Sequence, residues 1–363
     1  MIDQITYTPE WINSFKQQRK YNTVNPALFE KMIYAFSLLE LLANSGLNFI
    51  FKGGSALLLL PVESNRFSID IDITISSGKK ELEEVLKKMI IGSSFRKYSE
   101  NIGRAKSGSI PKAHYIFEFI PSANKIGNIL LDVLFEENPY NSIEMYAIKN
   151  SWIKTIEPYS LVRIPSINSI LGDKLTAFAP TTIGVPYWIG NPDKPDKRIE
   201  IIKQLHDVSL LIDHCSDIQE TKVVFNAIAK NQIAYQCLDV NIEDVVQDIF
   251  DTALIIAKRD RNAEGFMLSR FAEIQSGLLM FKGYLISGNF RIEEAIIASA
   301  KTAFFIEQMQ QNSPSFENFN LNINMDTWSI ISPLYNFLNR LKKTNRQAFY
   351  YWYKCLELKN LLK

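Results

Sequence analysis

Asp70 and Asp72 stand two residues apart in the segment Phe67–Ile75. There Ile69, Ile71, Ile73 and Ile75 alternate with Ser68, Asp70, Asp72 and Thr74. A period of two is that of a strand with one buried face, so both carboxylates leave the same side. Two carboxylates this close repel, and each costs free energy to desolvate. A divalent cation relieves both difficulties. Mg²⁺ is a hard ion taken by one or two carboxylates together with substrate phosphates. Taken alone, an Asp-x-Asp pair is usually the polar face of a strand, so its meaning depends on its company.

Two further groups of residues supply that company. Phe51-Lys52-Gly53-Gly54-Ser55 reads as an apolar strand running into a double glycine, with a hydroxyl residue opening a helix. Glycines let a backbone approach a phosphate closely, the helix start offers free N–H groups, and Ser55 adds a hydroxyl. The short span from Gly54 to Asp70 allows a helical turn and a return strand beside the first. Asp132 lies inside Ile129-Leu130-Leu131-Asp132-Val133-Leu134-Phe135. An acid in so apolar a strand needs a partner. If its strand neighbours Phe67–Ile75, Asp132 completes a three-carboxylate site that could hold two ions. Phosphate cradle and carboxylates together describe metal-assisted phosphoryl transfer.

The elements that must position these groups are legible in the hydrophobic pattern. Asn25-Pro26 reads as an N-cap and first helical residue, followed by apolar residues at helical spacing to Ala43, with Gly46 ending the helix. Residues 47–51 and 67–75 read as strands, 55–60 as a short helix and 80–90 as an amphipathic one. Residues 114–120 and 129–135 read as antiparallel strands joined by a turn around 122–127. Beyond about Ser166 every segment reads as helix: 167–179, 199–213, 217–230, 241–258, 264–287, 291–311, 326–342 and 345–361. Asn241 and Asp244 have the spacing of a reciprocal N-cap. The expected class is α+β. A mixed α/β domain with a sheet and flanking helices is expected over 1–165 and a mainly helical domain over 166–363.

Composition narrows the function classes. With 363 residues, 40 basic and 39 acidic, the net charge of +1 gives no overall field for nucleic acid. Cys215, Cys237 and Cys355 show neither a disulfide framework nor zinc spacing. The first twenty residues hold no apolar signal region, and no uncharged apolar run reaches the roughly 18 residues of a membrane span. A cytoplasmic, monomeric protein without membrane contact is expected. His114, His206 and His214 share no ligand spacing, so no histidine is expected to do chemistry. No internal period recurs, which argues against a helical-repeat interaction protein.

Lys52-Gly53-Gly54-Ser55 followed by Arg66-Phe67-Ser68-Ile69-Asp70-Ile71-Asp72 resembles the AbiEii-type nucleotidyltransferase toxins of type IV toxin–antitoxin systems. These belong to the DNA polymerase β-like nucleotidyltransferase superfamily. Two later motifs extend the resemblance: Lys174-Leu175-Thr176-Ala177, and Lys203 with Asp207. Gln204 departs from the family pattern, which has an aspartate there. The resemblance covers roughly residues 25–215 and implies an enzyme that moves a nucleoside monophosphate from an NTP to an acceptor. It implies Mg²⁺ on Asp70 and Asp72, with Asp132 as third ligand or as the group drawing the acceptor's proton. Gly53, Gly54 and Ser55 would hold the β and γ phosphates, with Lys52 and Ser68 beside them, and Lys174 would neutralise the triphosphate. Asp207 would stand near the site, and Arg66 would support the carboxylate strand or touch the nucleotide. A tRNA acceptor, a part in phage defence and a DNA-binding antitoxin encoded alongside are further implications.

A tRNA acceptor needs positive surface. Arg96, Lys97, Arg104, Lys106 and Lys112 form one modest cluster, and Lys194, Lys197, Arg198 and Lys203 another. Residues 187–197 form a Pro/Gly/Asn-rich loop that could cover the site. The same metal site would equally serve a protein or small-molecule acceptor. A non-catalytic nucleotide- or RNA-binding module on the same fold is the alternative of another class.

Overall fold

The computed structural model describes residues 1–21, 24–101, 111–121, 126–187, 197–260 and 265–363. The chain divides into two compact units, Met1–Ser166 with Gly283–Gly288, and Ile167–Lys282 with Asn289–Lys363.

The first unit contains α1 (Pro9–Lys16), α2 (Pro26–Ala43), β1 (Ile50–Lys52), α3 (Gly53–Ala56), β2 (Ile71–Ile75) and α4 (Lys79–Met89). They are followed by β3 (Phe95–Glu100), β4 (Lys112–Phe119), β5 (Gly127–Phe135), β6 (Ile143–Ala147) and β7 (Leu161–Pro165). Five strands form one sheet in the order β1-β2-β5-β4-β3, and β6 pairs with β7 as a separate hairpin. β2 and β5 run parallel while the other neighbours are antiparallel, so the sheet is mixed.

The alternation in the sequence sets its two faces. Phe51, Ile71, Ile73, Ile75, Leu131, Val133, Tyr115 and Phe117 are all buried, on the face covered by α2. Each buried isoleucine contributes about 1.5–3 kcal/mol over leaving it in water. α2 starts where Asn25 Oδ1 accepts from Ala27 N at 3.0 Å with Pro26 at its first position. Gly46 follows the helix at a φ of +82°, a conformation that favours glycine.

β2 is shorter than the alternation suggests. Residues 65–67 are engaged elsewhere: Phe67 N donates to Tyr284 O at 2.8 Å and Ile286 N to Asn65 O at 2.7 Å, around a bridge between Arg66 and Leu285. The ladder therefore begins at Ile71, and Asp70 lies one residue before it.

The second unit contains α5 (Ile167–Ala177), α6 (Arg198–Ile212), α7 (Ile218–Gln236), α8 (Ile242–Lys258), α9 (Gly265–Phe281), α10 (Ile292–Gln310), α11 (Leu341–Thr344) and α12 (Arg346–Leu358). α10 is buried along almost its whole length, against α6, α8 and α12. α5 crosses α7 closely because Gly172 has no side chain; a Cβ there would meet Thr221 O at 2.7 Å. α8 opens on the expected reciprocal cap, Asp244 N to Asn241 Oδ1 at 2.9 Å and Asn241 N to Asp244 Oδ2 at 2.8 Å.

Two helices expected from the pattern are cut short. The segment 264–287 is helical only to Phe281, after a 3₁₀ turn at Lys282–Tyr284 the chain pairs with residues 65–67. The segment 326–342 holds only a 3₁₀ turn, Asn336–Arg340, and the start of α11. Pro333 cannot donate inside a helix. Asn339 also competes for the backbone, accepting from Ile330 N at 2.9 Å and donating to Ile330 O at 2.8 Å.

Candidate functional site

Strand register brings the chemistry of the first unit into one row. Lys52 on β1 is opposite Asp72 on β2, Asp72 is level with Asp132 on β5, and Asp132 is opposite His114 on β4. Residues paired in this way project to the same side of a sheet. The row lies on the face opposite to α2, because its members alternate with the buried Phe51, Ile71, Ile73, Leu131, Val133, Ala113 and Tyr115. Asp72 and Asp132 thus stand as neighbours in adjacent parallel strands.

The glycine turn is built around this row. Gly53 has a φ of +79°, and a Cβ there would fall within 2.8 Å of Asp72 Cγ. At Gly54 a Cβ would meet Arg66 Nη2 at 2.5 Å and Ser68 Oγ at 2.8 Å. The near side of each glycine is therefore occupied by the protein's own polar groups. Arg66 is buried and donates from Nη1 to Phe67 O at 2.9 Å, so its guanidinium braces the turn. The buried Ser55 hydroxyl donates to the Asp70 carbonyl at 2.5 Å, tying the turn to the residue that opens the carboxylate strand. Lys52 Nζ lies 5.9 Å from the Tyr140 ring centroid.

Gly53→Ala is accordingly expected to displace the Asp72 carboxylate. A positive φ costs a non-glycine residue about 1–2 kcal/mol, and a misplacement of about 1 Å at a reacting centre can cost about 10²-fold in rate. Urea unfolding and initial transfer rates would register both; an unchanged rate would separate Gly53 from the site.

Among the described residues, no three His, Cys, Asp or Glu side chains are gathered closely enough to enclose a metal ion by themselves. Mg²⁺ does not require such a cage, since it keeps several waters and completes its shell with one or two carboxylates and substrate phosphates. Neighbouring half-buried carboxylates have the right donor chemistry, so the residues present fit that ion.

His114 was not expected from the sequence. Its Nδ1 lies 2.7 Å from Asp132 Oδ1. The signal that could have found it is the phase of β4: Ala113, Tyr115, Phe117 and Phe119 face the core, which leaves His114 on the carboxylate side.

The later motif residues belong to the second unit. Lys174 lies in the last turn of α5 rather than early in its helix. Its Nζ lies 2.9 Å from Asp207 Oδ2 on α6 and donates to Gln204 Oε1 at 3.2 Å. Asp207 is completely buried and Lys174 nearly so. Gln204, where the family pattern has an aspartate, thus reaches the same lysine. His206 Nδ1 is 3.5 Å from Asp207 Oδ1, with its ring among Phe281 and Phe290. Of the basic residues, Arg96, Lys97, Lys112 and Lys197 are exposed, with Lys97 paired to Glu118 at 3.1 Å. Arg198 is half-buried, and Lys203 bonds Glu200 at 2.8 Å. Arg104, Lys106 and Lys194, the turn at 122–125 and nearly all of the loop at 187–197 lie outside the described residues. No described helix is long and apolar enough to cross a membrane.

The family model of the nucleotidyl transferase AbiEii toxin, from type IV toxin–antitoxin systems, matches residues 38–287. That span takes in the glycine turn, all three carboxylates, Lys174 and Asp207 and stops short of α10. Among solved structures, a protein of H. pylori assigned as a nucleotidyltransferase aligns at 16% identity and a TM-score of 0.44, over 78% of this chain and 96% of its own. An antigenic nucleotidyltransferase-like protein from Paracoccidioides brasiliensis aligns at 14% identity and a TM-score of 0.35, over 56% of this chain and 88% of its own. No curated protein matches the chain.

Proposed function

The chain belongs to the AbiEii family of nucleotidyltransferase toxins, and from that premise we propose that it transfers a nucleoside monophosphate from an NTP to a hydroxyl of tRNA, with Mg²⁺. The observation that carries the reading is the register row that sets Asp72 beside Asp132, with Asp70 one residue before the ladder and the glycine turn packed against it.

In this reading Asp70 and Asp72 would hold Mg²⁺ together with substrate phosphates, which when bound would offset the charge of the triphosphate, and Asp132 would serve either as a further ligand or as the group that draws the acceptor's proton. The acceptor oxygen forms a bond to the α-phosphorus, the bond from that phosphorus to the bridging oxygen breaks, and pyrophosphate leaves. The acceptor proton passes to a carboxylate of the row, for which Asp132 is placed. Gly53 and Gly54 keep the turn against Asp72, with Ser55 holding the backbone of Asp70, while Lys52 offers a cation in the same row. The family resemblance assigns Lys174, which Asp207 and Gln204 hold within the second unit, to the charge of the triphosphate. A tRNA acceptor is supported by the exposed Arg96, Lys97 and Lys112, which can take backbone phosphates. The family implies a cognate antitoxin as protein partner.

The test is incubation with each α-³²P-labelled NTP, Mg²⁺, total tRNA and cell lysate, for the unaltered chain and for Asp70→Asn. Label entering tRNA only with Asp70 intact is the expected result, and it names the nucleotide. Label entering protein would keep the mechanism and replace the acceptor. Absence of transfer from folded protein with every NTP would overturn the reading in favour of a binding module.

A further inference from the structure

We propose that His114 is a positioning residue for this reaction, holding the Asp132 carboxylate in place beside Asp72 through a hydrogen bond from Nδ1 to Oδ1. The inference rests on the reading of the carboxylate row as the metal-binding centre.

The sheet makes the juxtaposition. β4 and β5 are antiparallel and in register from Lys112/Leu134 to Phe119/Gly127, which sets His114 directly opposite Asp132. The neighbours of His114 along the strand, Ala113 and Tyr115, are each 1% exposed, so the backbone that carries the ring is embedded. The ring itself is 14% exposed and the Asp132 side chain 30%. The terminal torsion of an aspartate is soft, so the direction of its oxygens follows from the groups that bond them. On one side of Asp132 in the row stands Asp72, a like charge at the separation of adjacent strands, which favours turning the carboxylate away. On the other side His114 offers a donor at 2.7 Å, the length of a charge-assisted bond. Fixing one oxygen fixes the plane of the carboxylate and hence the direction of its other oxygen.

The role asks only for a proton on Nδ1. A carboxylate can only accept, so Nδ1 is the donor and the ring acts the same way whatever Nε2 carries. Carboxylates that bind metals are commonly held by such outer hydrogen bonds, and their removal typically costs about 10–100-fold in metal affinity or activity.

Two substitutions on the full chain separate the donor from the ring. His114→Phe keeps a ring of similar size and removes the donor. His114→Asn keeps a donor near the Nδ1 position and removes the ring. Transfer rates at saturating NTP across a Mg²⁺ titration, and Mn²⁺ binding followed by electron paramagnetic resonance without substrate, give two readouts. His114→Phe is expected to raise the half-saturating Mg²⁺ and Mn²⁺ about 10–100-fold, while His114→Asn stays close to the unaltered chain. Equal impairment of both, or a His114→Phe chain with unaltered metal dependence, would overturn the role. Should His114→Phe fail to fold by thermal melting, His114→Asn decides alone: impaired metal dependence overturns the proposal and near-normal dependence supports it. Full transfer activity in Asp72→Asn would remove the underlying reading, and the role of His114 with it.

Discussion

Asp72→Asn is expected to lower nucleotidyl transfer by about 10³-fold or more while leaving the fold intact. The side chain sits in the row between Lys52 and Asp132 and against Gly53. Asparagine has the same shape, so the packing against the glycine and the ladder around Ile71 and Ile73 survive. What is lost is the negative charge. Metal-ion stabilisation of a phosphoryl transition state supplies several kcal/mol, and each 1.36 kcal/mol is tenfold in rate, so about three orders of magnitude follow. Stability does not fall with it. Asp72 and Asp132 are like charges in adjacent registers, and such a pair is destabilising by some tenths of a kcal/mol to about 1 kcal/mol. Removing one charge relieves that repulsion and also gives up the attraction of Lys52 across the other ladder, so the fold is held at about its original stability. Transfer assays with labelled NTP beside thermal melts, at low and high Mg²⁺, would show activity lost and the melting temperature held. A variant that stayed active would place the chemistry elsewhere; one that unfolded would make Asp72 a structural residue.

Much of this site was legible in the sequence because it is written in local patterns. The alternation of Ile71 and Ile73 with Asp72 fixes the face of the carboxylate without knowledge of any other strand. The apolar run around Asp132 announces a buried strand whose acid needs company. What pairs with what is a different kind of information. Lys52, Asp72, Asp132 and His114 share a row only because four strands take one particular register, and register is set by side-chain packing and turns far apart in the chain. His114 looked inert for this reason: its meaning lies in Asp132, 18 residues away across a ladder. The pairing of residues 65–67 with 284–286 was hidden in the same way. Helical periodicity through 264–287 says nothing about a return to the first unit, and that return truncates both α9 and β2. The double glycine announces a close approach, and a Cβ at Gly53 or Gly54 would meet Asp72, or Arg66 and Ser68. A close approach is visible in sequence; what approaches is not.

Lys174→Met is expected to destabilise the second unit by about 3–5 kcal/mol, and Lys174→Met with Asp207→Leu to recover most of that loss. Lys174 and Asp207 form an ion pair at 2.9 Å with side chains 9% and 0% exposed. The lysine also donates to Gln204 Oε1, and its place in the last turn of α5 suits a cation. Removing one partner from so buried a pair strands the other charge where water cannot reach it, and such losses run to about 3–5 kcal/mol. An apolar pair of similar volume strands no charge, although Gln204 and His206 lose a polar neighbour, and replacements of that kind are often neutral or stabilising. The pair is therefore a poor choice if stability were its only purpose, which is an argument for chemistry. Urea unfolding of both single variants and the double variant, read as a double-mutant cycle, measures the coupling. A single-variant loss below about 1 kcal/mol, the range of an exposed pair, would contradict the buried geometry. The double variant then tests function free of stability. If Lys174 supplies charge to the triphosphate, the double variant folds like the unaltered chain and transfers no nucleotide. If it folds and transfers normally, the pair is scaffolding, and the nucleotide's charge is met by the first unit's own groups, Lys52 among them.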